Sequence, residues 1–375
     1  MKIDKASSLY KELVNQKGNL CVTIIFPVVS DPFDTKADKI HIKSVQEKVE
    51  AMIKLKGDSD FIIQFIKKIK DAFERINFSG DVHGIGIYIS NNFTYTIPFP
   101  FTVKEKIMID YSFETRHVLL NDYFNEHRLL LMLSENFGKL FQCKGYTITE
   151  IHDEKFPAVY EELYEYEKPS RGTSFQGSGG LKQFEKDKSI SLEMRQQDFY
   201  KSIDKNMKEY ILDNTPLILM GTSKDISYYE KHTHYSKKIL GKIEGNYEHS
   251  SISEIAERVS EVIRAGNDKD TNSLLMEVRE LVGKGMTTTG IKEIWRDVKA
   301  GKGLKLLVEE DFYQTAFTSN GDDNILTQRM SEKNKVIRDA VDEIIEMVLE
   351  KNGDVVFLKN GQLHSYNRMI LIRRY

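Results

Sequence analysis

The chain has 375 residues, of which 40% are hydrophobic and 30% are charged, and its formal net charge is −3. This length exceeds what one compact core usually covers, so two or three domains are expected. The composition is that of a folded globular protein and excludes a disordered chain of low hydrophobicity. The slightly acidic balance argues against a general polyanion-binding protein, which usually has a basic excess.

The N-terminal residues and the two cysteines indicate where the protein works. Residues 1–5 lead into an amphipathic stretch rather than the apolar core of a secretory signal, and no window holds the ~18 apolar residues of a membrane span. Cys21 and Cys143 lie in apolar strand-like runs, and two cysteines are too few for a disulfide framework or a cysteine-ligated zinc. The sequence therefore predicts a cytoplasmic protein with no metal and no cofactor.

The first of three segments runs from residue 1 to about residue 125. Residues 20–27 (LCVTIIFP) form an apolar run typical of a buried strand. Two helices with apolar residues at helical spacing are predicted next, separated at Gly57. Residues 84–90 (GIGIYIS) and 95–101 predict two further strands. The glycines of GIGIYIS lie within a strand that no helix follows, so a nucleotide-binding loop is not expected there.

The second segment, residues 126–266, begins with strands. Two strands with a turn near residues 136–138 predict a hairpin, and residues 145–151 predict a third strand. After a long stretch without periodicity, an amphipathic helix is predicted over Phe199–Ile211 and a buried strand over Leu217–Met220, closed by a glycine. This order favours a mixed sheet flanked by helices.

The stretch without periodicity, residues 165–190, contains a cluster of small residues that includes Gly179 and Gly180. A loop of this length inside a domain is usually functional or disordered. Four basic residues lie within fourteen positions of one another: Lys182, Lys186, Lys188 and Arg195. They favour a local basic surface, and a solvated helix face is the alternative interpretation.

The third segment, residues 267–375, alternates helices with strands. Residues 312–330 are polar and are predicted to form a loop. Helices are predicted over Leu274–Leu281, Gly290–Val298 and Val336–Val348, and strands over Leu304–Val308, Val355–Leu358 and Met369–Arg373. The alternation predicts a small α/β/α sandwich.

The three segments in this order resemble a known family. The strand, helix pair and GIGIYIS of the first segment resemble the N-terminal domain of archaeal and eukaryotic class-one release factors and Pelota-type rescue factors. The hairpin, glycine-rich loop and LILMG strand of the second resemble their central RNase H-like domain. GIKEIWRDV and the terminal ILIRRY of the third resemble their C-terminal domain, which is related to ribosomal proteins that bind kinked RNA. The chain is similar to the bacterial branch, the bacterial archaeo-eukaryotic release factor family.

The resemblance implies an α/β fold of three domains. These are an N-terminal α/β domain (1–125), a central RNase H-like mixed-sheet domain (126–266) and a C-terminal α/β/α sandwich (267–375). It also implies a ribosome- and tRNA-associated factor in translation termination or ribosome rescue. The implied partners are the ribosome, tRNA or other RNA, and a partner protein on the C-terminal domain, with no membrane.

The Gly-Gly-Gln loop of the family is present only in part. In release factors this loop enters the peptidyl-transferase centre, where its glycines allow special backbone conformations and the loop positions water at the ester. Here the corresponding residues are Gly179, Gly180 and Leu181, with Gln176 and Gln183 nearby but out of register. The resemblance implies Gly179, Gly180 and Gln183 as catalytic positions, while peptidyl-tRNA hydrolysis stays open. A plain flexible loop is the alternative.

The resemblance also implies RNA contacts. Phosphates would be bound at the base of the loop by Lys182, Lys186, Lys188, Arg195 and Arg171. In the first domain, the family carries a codon-reading tetrapeptide at the turn before a helix, and residues 41–44 (HIKS) share its last three residues at a comparable place. Ile42 is already explained as a core residue of the helix, so codon reading is not expected. Lys43 is either an RNA contact or a solvated lysine at the helix start.

Two other classes of function are left open. An RNase H-like domain could be a two-metal nuclease, which needs carboxylates converging at strand ends; Asp153, Glu154 and Asp225 are available, but no spacing distinguishes them. His232 and His234 could bind metal or phosphate, although a pair without a third ligand is more typical of packing or solvated histidines. The other class is a non-catalytic protein that binds RNA or a partner on the same fold.

Overall fold

The computed structural model describes residues 7–16, 20–28, 36–55, 60–76, 82–145, 147–160, 194–212, 215–318, 324–331 and 334–375. The chain divides into two compact units. The first consists of Met1–Asn125 and Asp270–Tyr375, and the second of Glu126–Lys269. The first and third predicted domains thus fall in one unit, and the division into three domains stays a prediction.

Helices and strands are interspersed along the described residues, which confirms the α/β class. The helices are α1 (Ser8–Val14), α2 (Lys36–Lys54), α3 (Asp60–Glu74), α4 (Arg116–Phe124), α5 (194–207), α6 (Ser223–His232), α7 (Ile252–Gly283), α8 (Ile291–Lys299) and α9 (Ala340–Glu350). The strands up to the middle of the chain are β1 (Cys21–Pro27), β2 (Gly84–Ile89), β3 (Thr94–Phe99), β4 (Lys106–Asp110), β5 (His127–Leu133), β6 (Phe137–Lys144), β7 (Thr147–Glu150), β8 (Ala158–Val159) and β9 (Leu217–Gly221). The remaining strands are β10 (Ile239–Glu244), β11 (Thr287–Thr289), β12 (Gly303–Glu309), β13 (Ala316–Thr318), β14 (Ile325–Leu326), β15 (Lys335–Ile337), β16 (Asp354–Leu358) and β17 (Met369–Arg373). Among the described helices, none combines the length and the apolar character needed to cross a membrane.

The N-terminal part of the first unit is an antiparallel sheet in the order β3-β2-β1-β4. Side chains alternate between the faces of a strand, so Val22, Ile24 and Phe26 of β1 all face one side. There they pack against the buried stripes of α2 and α3. The predicted strand, helix pair and GIGIYIS strand are confirmed, whereas β4 and α4 had no counterpart among the predictions.

The C-terminal part of the first unit is a sheet in the order β11-β17-β12-β16, with β12 and β16 parallel. Val278 of α7 packs with Leu307 on one face of this sheet. Trp295 of α8 and Ile344 of α9 pack with Leu306 on the other face. Helices therefore cover both faces, as the alternation of elements predicted.

Two predictions for this part are wrong. Residues 312–330 contain β13 and β14, which form a small sheet with β15. Val336 lies in β15 rather than in a helix. Helix α9 begins after Asp339, because the Asp339 carboxylate accepts hydrogen bonds from the N–H groups of Val341 and Asp342 at 3.1 and 3.3 Å.

Buried charges lie between α4 and α9. The Asp342 carboxylate accepts hydrogen bonds from the N–H groups of Thr115 and Arg116 at the start of α4, at 3.0 and 3.2 Å. The Arg116 guanidinium donates to Asp339 at 3.2 Å and to the carbonyl of Phe312 at 2.5 Å. These groups are shielded from water, so each depends on its partner for compensation of its charge.

Glu114 lies in the same buried region. Its carboxylate contacts His117 Nδ1 at 2.9 Å and Lys106 Nζ at 3.6 Å. Burial opposes ionisation, but the charges of His117 and Lys106 outweigh it and hold the pKa of Glu114 below its usual range. Burial, together with the charges of Glu114 and Glu346, raises the pKa of Asp342 well above its usual value. The pKa values of these two buried acids are thus shifted in opposite directions.

The second unit is a mixed sheet in the order β10-β9-β5-β6-β7, with β8 paired to β6. Strands β5, β9 and β10 are parallel, and β6 and β7 are antiparallel to their neighbours. Ile203 of α5 and Tyr229 of α6 pack with Leu131 on one face, and Val259 of α7 packs with Leu130 on the other. The predicted hairpin is confirmed, with its turn at residues 134–136, two positions earlier than predicted.

Candidate functional site

The carboxyl ends of β5, β9 and β10 meet at one edge of the second unit, called here the carboxyl edge. After β5 the chain turns into β6 on one side, whereas after β9 it passes through α6 to β10 on the other side. The connections therefore diverge between β5 and β9, and in open α/β sheets ligands bind in the crevice at such a point. The crevice here has a volume of about 220 Å³, and its lining includes Ser134, Glu135, Asn136, Thr222, Asp225 and Glu248.

Gly221 at the end of β9 allows β9 to approach β5 closely at this edge. Its φ is +153°, and a Cβ atom at this position would lie 2.5 Å from the carbonyl oxygen of Leu133. A side chain would therefore clash with the backbone as well as strain its own conformation. The sequence predicted that a glycine closes this strand, and the close approach is the physical reason.

Helix α5 is anchored to the carboxyl edge by two side chains. Gln196 donates from Nε2 to the carbonyl of Glu135 at 3.1 Å, and the Tyr200 hydroxyl donates to Asp225 at 2.6 Å. The hydroxyl of Thr222 also donates to Asp225, at 2.7 Å, and Thr222 caps the N-terminus of α6. Burial and the bond to Asp225 raise the pKa of Tyr200, so its phenol remains a hydrogen-bond donor.

The β5–β6 turn also holds both sides of the glycine-rich segment, residues 161–193. The N–H of Tyr160 donates to the carbonyl of Asn136 at 2.9 Å, and the rings of Tyr160 and Phe199 lie 5.5 Å apart. On the other side of the segment, Gln196 is bonded to the same turn. The described residues on the two sides of this segment therefore both contact the carboxyl edge.

Most of the predicted site residues lie outside the described residues: Gly179, Gly180, Gln183, Arg171, Lys182, Lys186 and Lys188. Arg195 lies in the first described turn of α5, partly exposed and directly before the anchor Gln196. Lys43 lies exposed on α2 in the first unit. The structure thus places Arg195 beside Gln196 in the second unit and Lys43 in the first unit.

The predicted position of residues 41–44 at the start of a helix is wrong. These residues lie within α2, which is already helical from Lys36. The ring of His41 contacts the ring of Phe26 at 6.0 Å, and Ile42 packs against the core beneath the helix. The helix begins ahead of the first predicted core residue, and it has Asp38 in its first turn, where a carboxylate interacts favourably with the helix dipole.

The carboxylates considered for a two-metal nuclease have separate roles. Asp153 accepts hydrogen bonds from two N–H groups of its own turn and from the Tyr210 hydroxyl at 2.6 Å. Asp225 is bonded to Tyr200 within α5, whereas Tyr210, the partner of Asp153, lies beyond the end of that helix. Glu154 is exposed. Within the part of the chain that the structure describes, no group of three or more His, Cys, Asp or Glu residues could hold a metal.

One histidine of the predicted pair, His234, is held by a buried carboxylate. Asp204 of α5 accepts hydrogen bonds from His234 Nδ1 at 2.7 Å, Thr233 Oγ1 at 2.5 Å and the Tyr229 hydroxyl at 3.0 Å. A carboxylate only accepts, so Nδ1 carries the hydrogen and Nε2 is the free ring nitrogen. Asp204 was missed, although an acidic residue on the apolar stripe of a predicted helix was the available signal.

A larger cavity, of about 480 Å³, lies in the first unit beside β4 and α4. Three of its basic residues are paired with carboxylates: Lys104 with Asp311, Arg116 with Asp339, and Arg338 with Asp110. These cations therefore serve ion pairs within the unit, and the carboxyl edge is the better candidate for function.

Comparisons with known proteins bear on the same part of the chain. Residues 129–302 match the family described as Bacterial archaeo-eukaryotic release factor family 3. This range includes the carboxyl edge and the glycine-rich segment. No curated protein matches the chain.

Several solved structures are similar in fold. Archaeal translation termination factor aRF1 shares 13% identity over 98% of this chain and 96% of its own, with a TM-score of 0.25. Dom34 of S. cerevisiae, a translation termination-like factor, shares 14% identity over 98% and 92%, with a TM-score of 0.42. Pelota of Archaeoglobus fulgidus shares 14% identity over 78% and 79%, with a TM-score of 0.35. The match over residues 129–302 confirms the resemblance to the bacterial archaeo-eukaryotic release factor family that the sequence indicated.

Proposed function

We propose that this protein is a ribosome- and tRNA-associated factor that acts in translation termination or ribosome rescue in the cytoplasm. The observation that carries the proposal is the match of residues 129–302 to a release factor family. The contacts at the carboxyl edge support it, because they hold both sides of the glycine-rich segment at one turn. A long segment with a fixed base is suited to reach into a confined site.

The proposed contacts divide between the tip and the base of this segment. Gly179 and Gly180 supply backbone conformations that other residues disfavour, which suits a tip that enters a narrow tunnel. Phosphates would be bound by Lys182, Lys186, Lys188, Arg171 and Arg195. Gln196 and Tyr200 contact no RNA in this proposal; they position the base of the segment.

The residue after the two glycines bears on hydrolysis but not on binding. Leu181 follows the two glycines, and its apolar side chain has no amide to orient water at an ester. We therefore propose binding to the ribosome without hydrolysis by the Gly-Gly-Gln route. Gln183 is the next amide along the chain and is the residue to test for any remaining peptide release.

Sedimentation of the tagged protein with ribosomes tests the proposal. The protein should comigrate with ribosomes at low salt and dissociate as salt rises, because phosphate contacts release counterions. The double variant Lys182→Glu/Lys186→Glu should weaken this association, and Lys11→Glu/Lys54→Glu is the control with the same change in charge. Protein that stays in the free fractions at low salt and has no affinity for tRNA would contradict the proposal.

Peptide release from ribosome-bound peptidyl-tRNA tests the chemistry separately. We expect no release above background by the wild type, and the same result for Gln183→Ala. Release by the wild type that Gln183→Ala abolishes would show that Gln183 replaces the missing glutamine, and it would overturn the proposed absence of hydrolysis.

A further inference from the structure

The second unit has another polar edge, at the amino ends of β9 and β10. Helices α5 and α6 both run from the carboxyl edge to this amino edge, because each packs antiparallel to the strands on the same face. Asp204, only 4% exposed, joins them here by accepting hydrogen bonds from Tyr229, Thr233 and His234. The end of α6 and the turn after it are therefore held beside α5.

Exposed basic side chains surround this junction. Lys205 follows Asp204 directly, and Lys208 lies four positions after it. Lys231 lies in the last turn of α6, and Lys237 lies in the short 3₁₀ turn before β10. The side chain of His234 is 86% exposed although its Nδ1 is bonded to Asp204.

The positive charge at this edge is not balanced by neighbouring acids. Within the described residues, the ammonium groups of Lys205, Lys208 and Lys237 make no ion pair. Asp204 is buried and its oxygens are occupied. Two described carboxylates nearby have other partners: the exposed Glu209 is paired with Lys155, and the half-buried Glu230 with Lys242.

We propose that the amino edge formed by Lys205, Lys208, Lys231, His234 and Lys237 binds the phosphate backbone of RNA. The inference rests on the proposed function for the class of its partner, and it adds a second contact surface at the end of the sheet opposite the glycine-rich segment. Lysine ammonium groups are mobile point charges that suit phosphates at variable positions.

Two further features favour RNA over an acidic protein surface. The His234 ring is exposed although Asp204 holds its Nδ1, so its face can stack on an unpaired base. The partly exposed rings of Tyr228 and Tyr235 lie among the lysines, and Lys231 lies 5.6 Å from the centre of the Tyr228 ring. Aromatic faces beside basic groups suit unpaired bases as well as phosphates.

Binding of the full-length protein to a labelled single-stranded RNA of mixed sequence tests the inference. The triple variant Lys205→Glu/Lys208→Glu/Lys237→Glu should bind this RNA roughly 10- to 100-fold more weakly. The slope of log K against the logarithm of the salt concentration should become shallower by about 2 to 3. The control is Lys11→Glu/Lys54→Glu/Lys67→Glu, which makes the same change in charge on exposed lysines of the first unit. Equal melting temperatures exclude misfolding, and the milder Lys→Gln triple should lie between the wild type and the Glu triple.

The outcomes separate this inference from the proposed function. If the wild type sediments with ribosomes and the triple variant binds RNA as tightly as the wild type, the amino edge is not an RNA surface and the proposed function stands. If the wild type does not associate with ribosomes but the triple variant still loses RNA affinity, the proposed function fails and the amino edge stands. Loss of binding to a polyglutamate peptide without loss of RNA binding would overturn the inference in favour of an acidic protein.

Discussion

Both units bury acidic side chains, but they pair them with different groups. In the first unit the partners are cations: Arg116 for Asp339, and Lys106 and His117 for Glu114. In the second unit they are mainly hydroxyl groups: Tyr200 and Thr222 for Asp225, and Tyr229 and Thr233 for Asp204. Removing one partner of a buried ion pair leaves an uncompensated charge, whereas the loss of one hydroxyl donor from a carboxylate that keeps its other donors costs less.

This difference suggests that the buried acids of the first unit mainly affect stability, whereas those of the second unit mainly position helices. The acids of the first unit should largely determine how that unit responds to substitution and to pH. The acids of the second unit hold α5 and α6 in place and thereby define the two edges used in the proposals. The predictions below test this contrast.

The largest effect is expected for Arg116→Met. The substitution keeps an unbranched side chain but leaves the buried Asp339 carboxylate without this cation, so the free energy of unfolding should fall by about 3–5 kcal/mol. Urea denaturation measures the change. The control is Lys104→Met, whose ammonium is exposed beside Asp311 and should contribute about 0–1 kcal/mol. Equal losses for the two variants would contradict the contrast.

A smaller effect that depends on pH is expected for Glu114→Gln. The folded pKa of Glu114 lies below its ordinary value of 4.5, so its charge stabilises the fold fully above that pH. The stabilisation is lost as pH falls through the low folded pKa. The difference in unfolding free energy between wild type and variant should therefore be constant above about pH 5 and shrink at lower pH.

Unfolding curves at a series of pH values check this prediction. As a control, Glu47→Gln removes an exposed carboxylate of α2, away from the buried cluster, so its difference from the wild type should stay small at every pH. A difference for Glu114→Gln that is independent of pH down to pH 2 would mean that the charge of Glu114 is not stabilised by its neighbours.

The smallest effect is expected for Tyr200→Phe. The change removes one donor from the buried Asp225 carboxylate and keeps the buried ring, so the free energy of unfolding should fall by about 1.5–3 kcal/mol. Tyr210→Phe removes the corresponding bond to the exposed Asp153 and should have less effect. A loss of several kcal/mol for Tyr200→Phe would show that the acids of the second unit are as critical to stability as the ion pairs of the first.

Several elements were missed because distant residues stabilise them. Helix α4 has almost no amphipathic pattern, and its buried Arg116 is explained only by Asp339 and Phe312, far along the chain. Strands β13 and β15 are only three residues long, and their pairing with each other defines them. Such contacts have no local period to detect.

Helix α7 shows how tertiary structure changes the interpretation of a local pattern. The sequence predicted only its C-terminal part, over Leu274–Leu281, and not its start at Ile252. The residues near its start, such as Val259, pack with the central sheet, whereas Val278 packs with the C-terminal sheet. One helix thus carries two apolar stripes. A search for one continuous stripe therefore finds only part of the helix.

The sequence by itself determined the α/β class, the hairpin of β5 and β6, the glycine that closes β9 and the resemblance to the release factor family. These depend on apolar periodicity, turn residues and the order of segments, all of which are local or cumulative along the chain. Only the tertiary structure decided that Tyr160 and Gln196 meet at one turn, that Asp204 holds His234, and that exposed lysines gather at one edge. The physical reason is that hydrogen bonds and ion pairs between residues far apart in sequence form only after the sheet has brought their elements together.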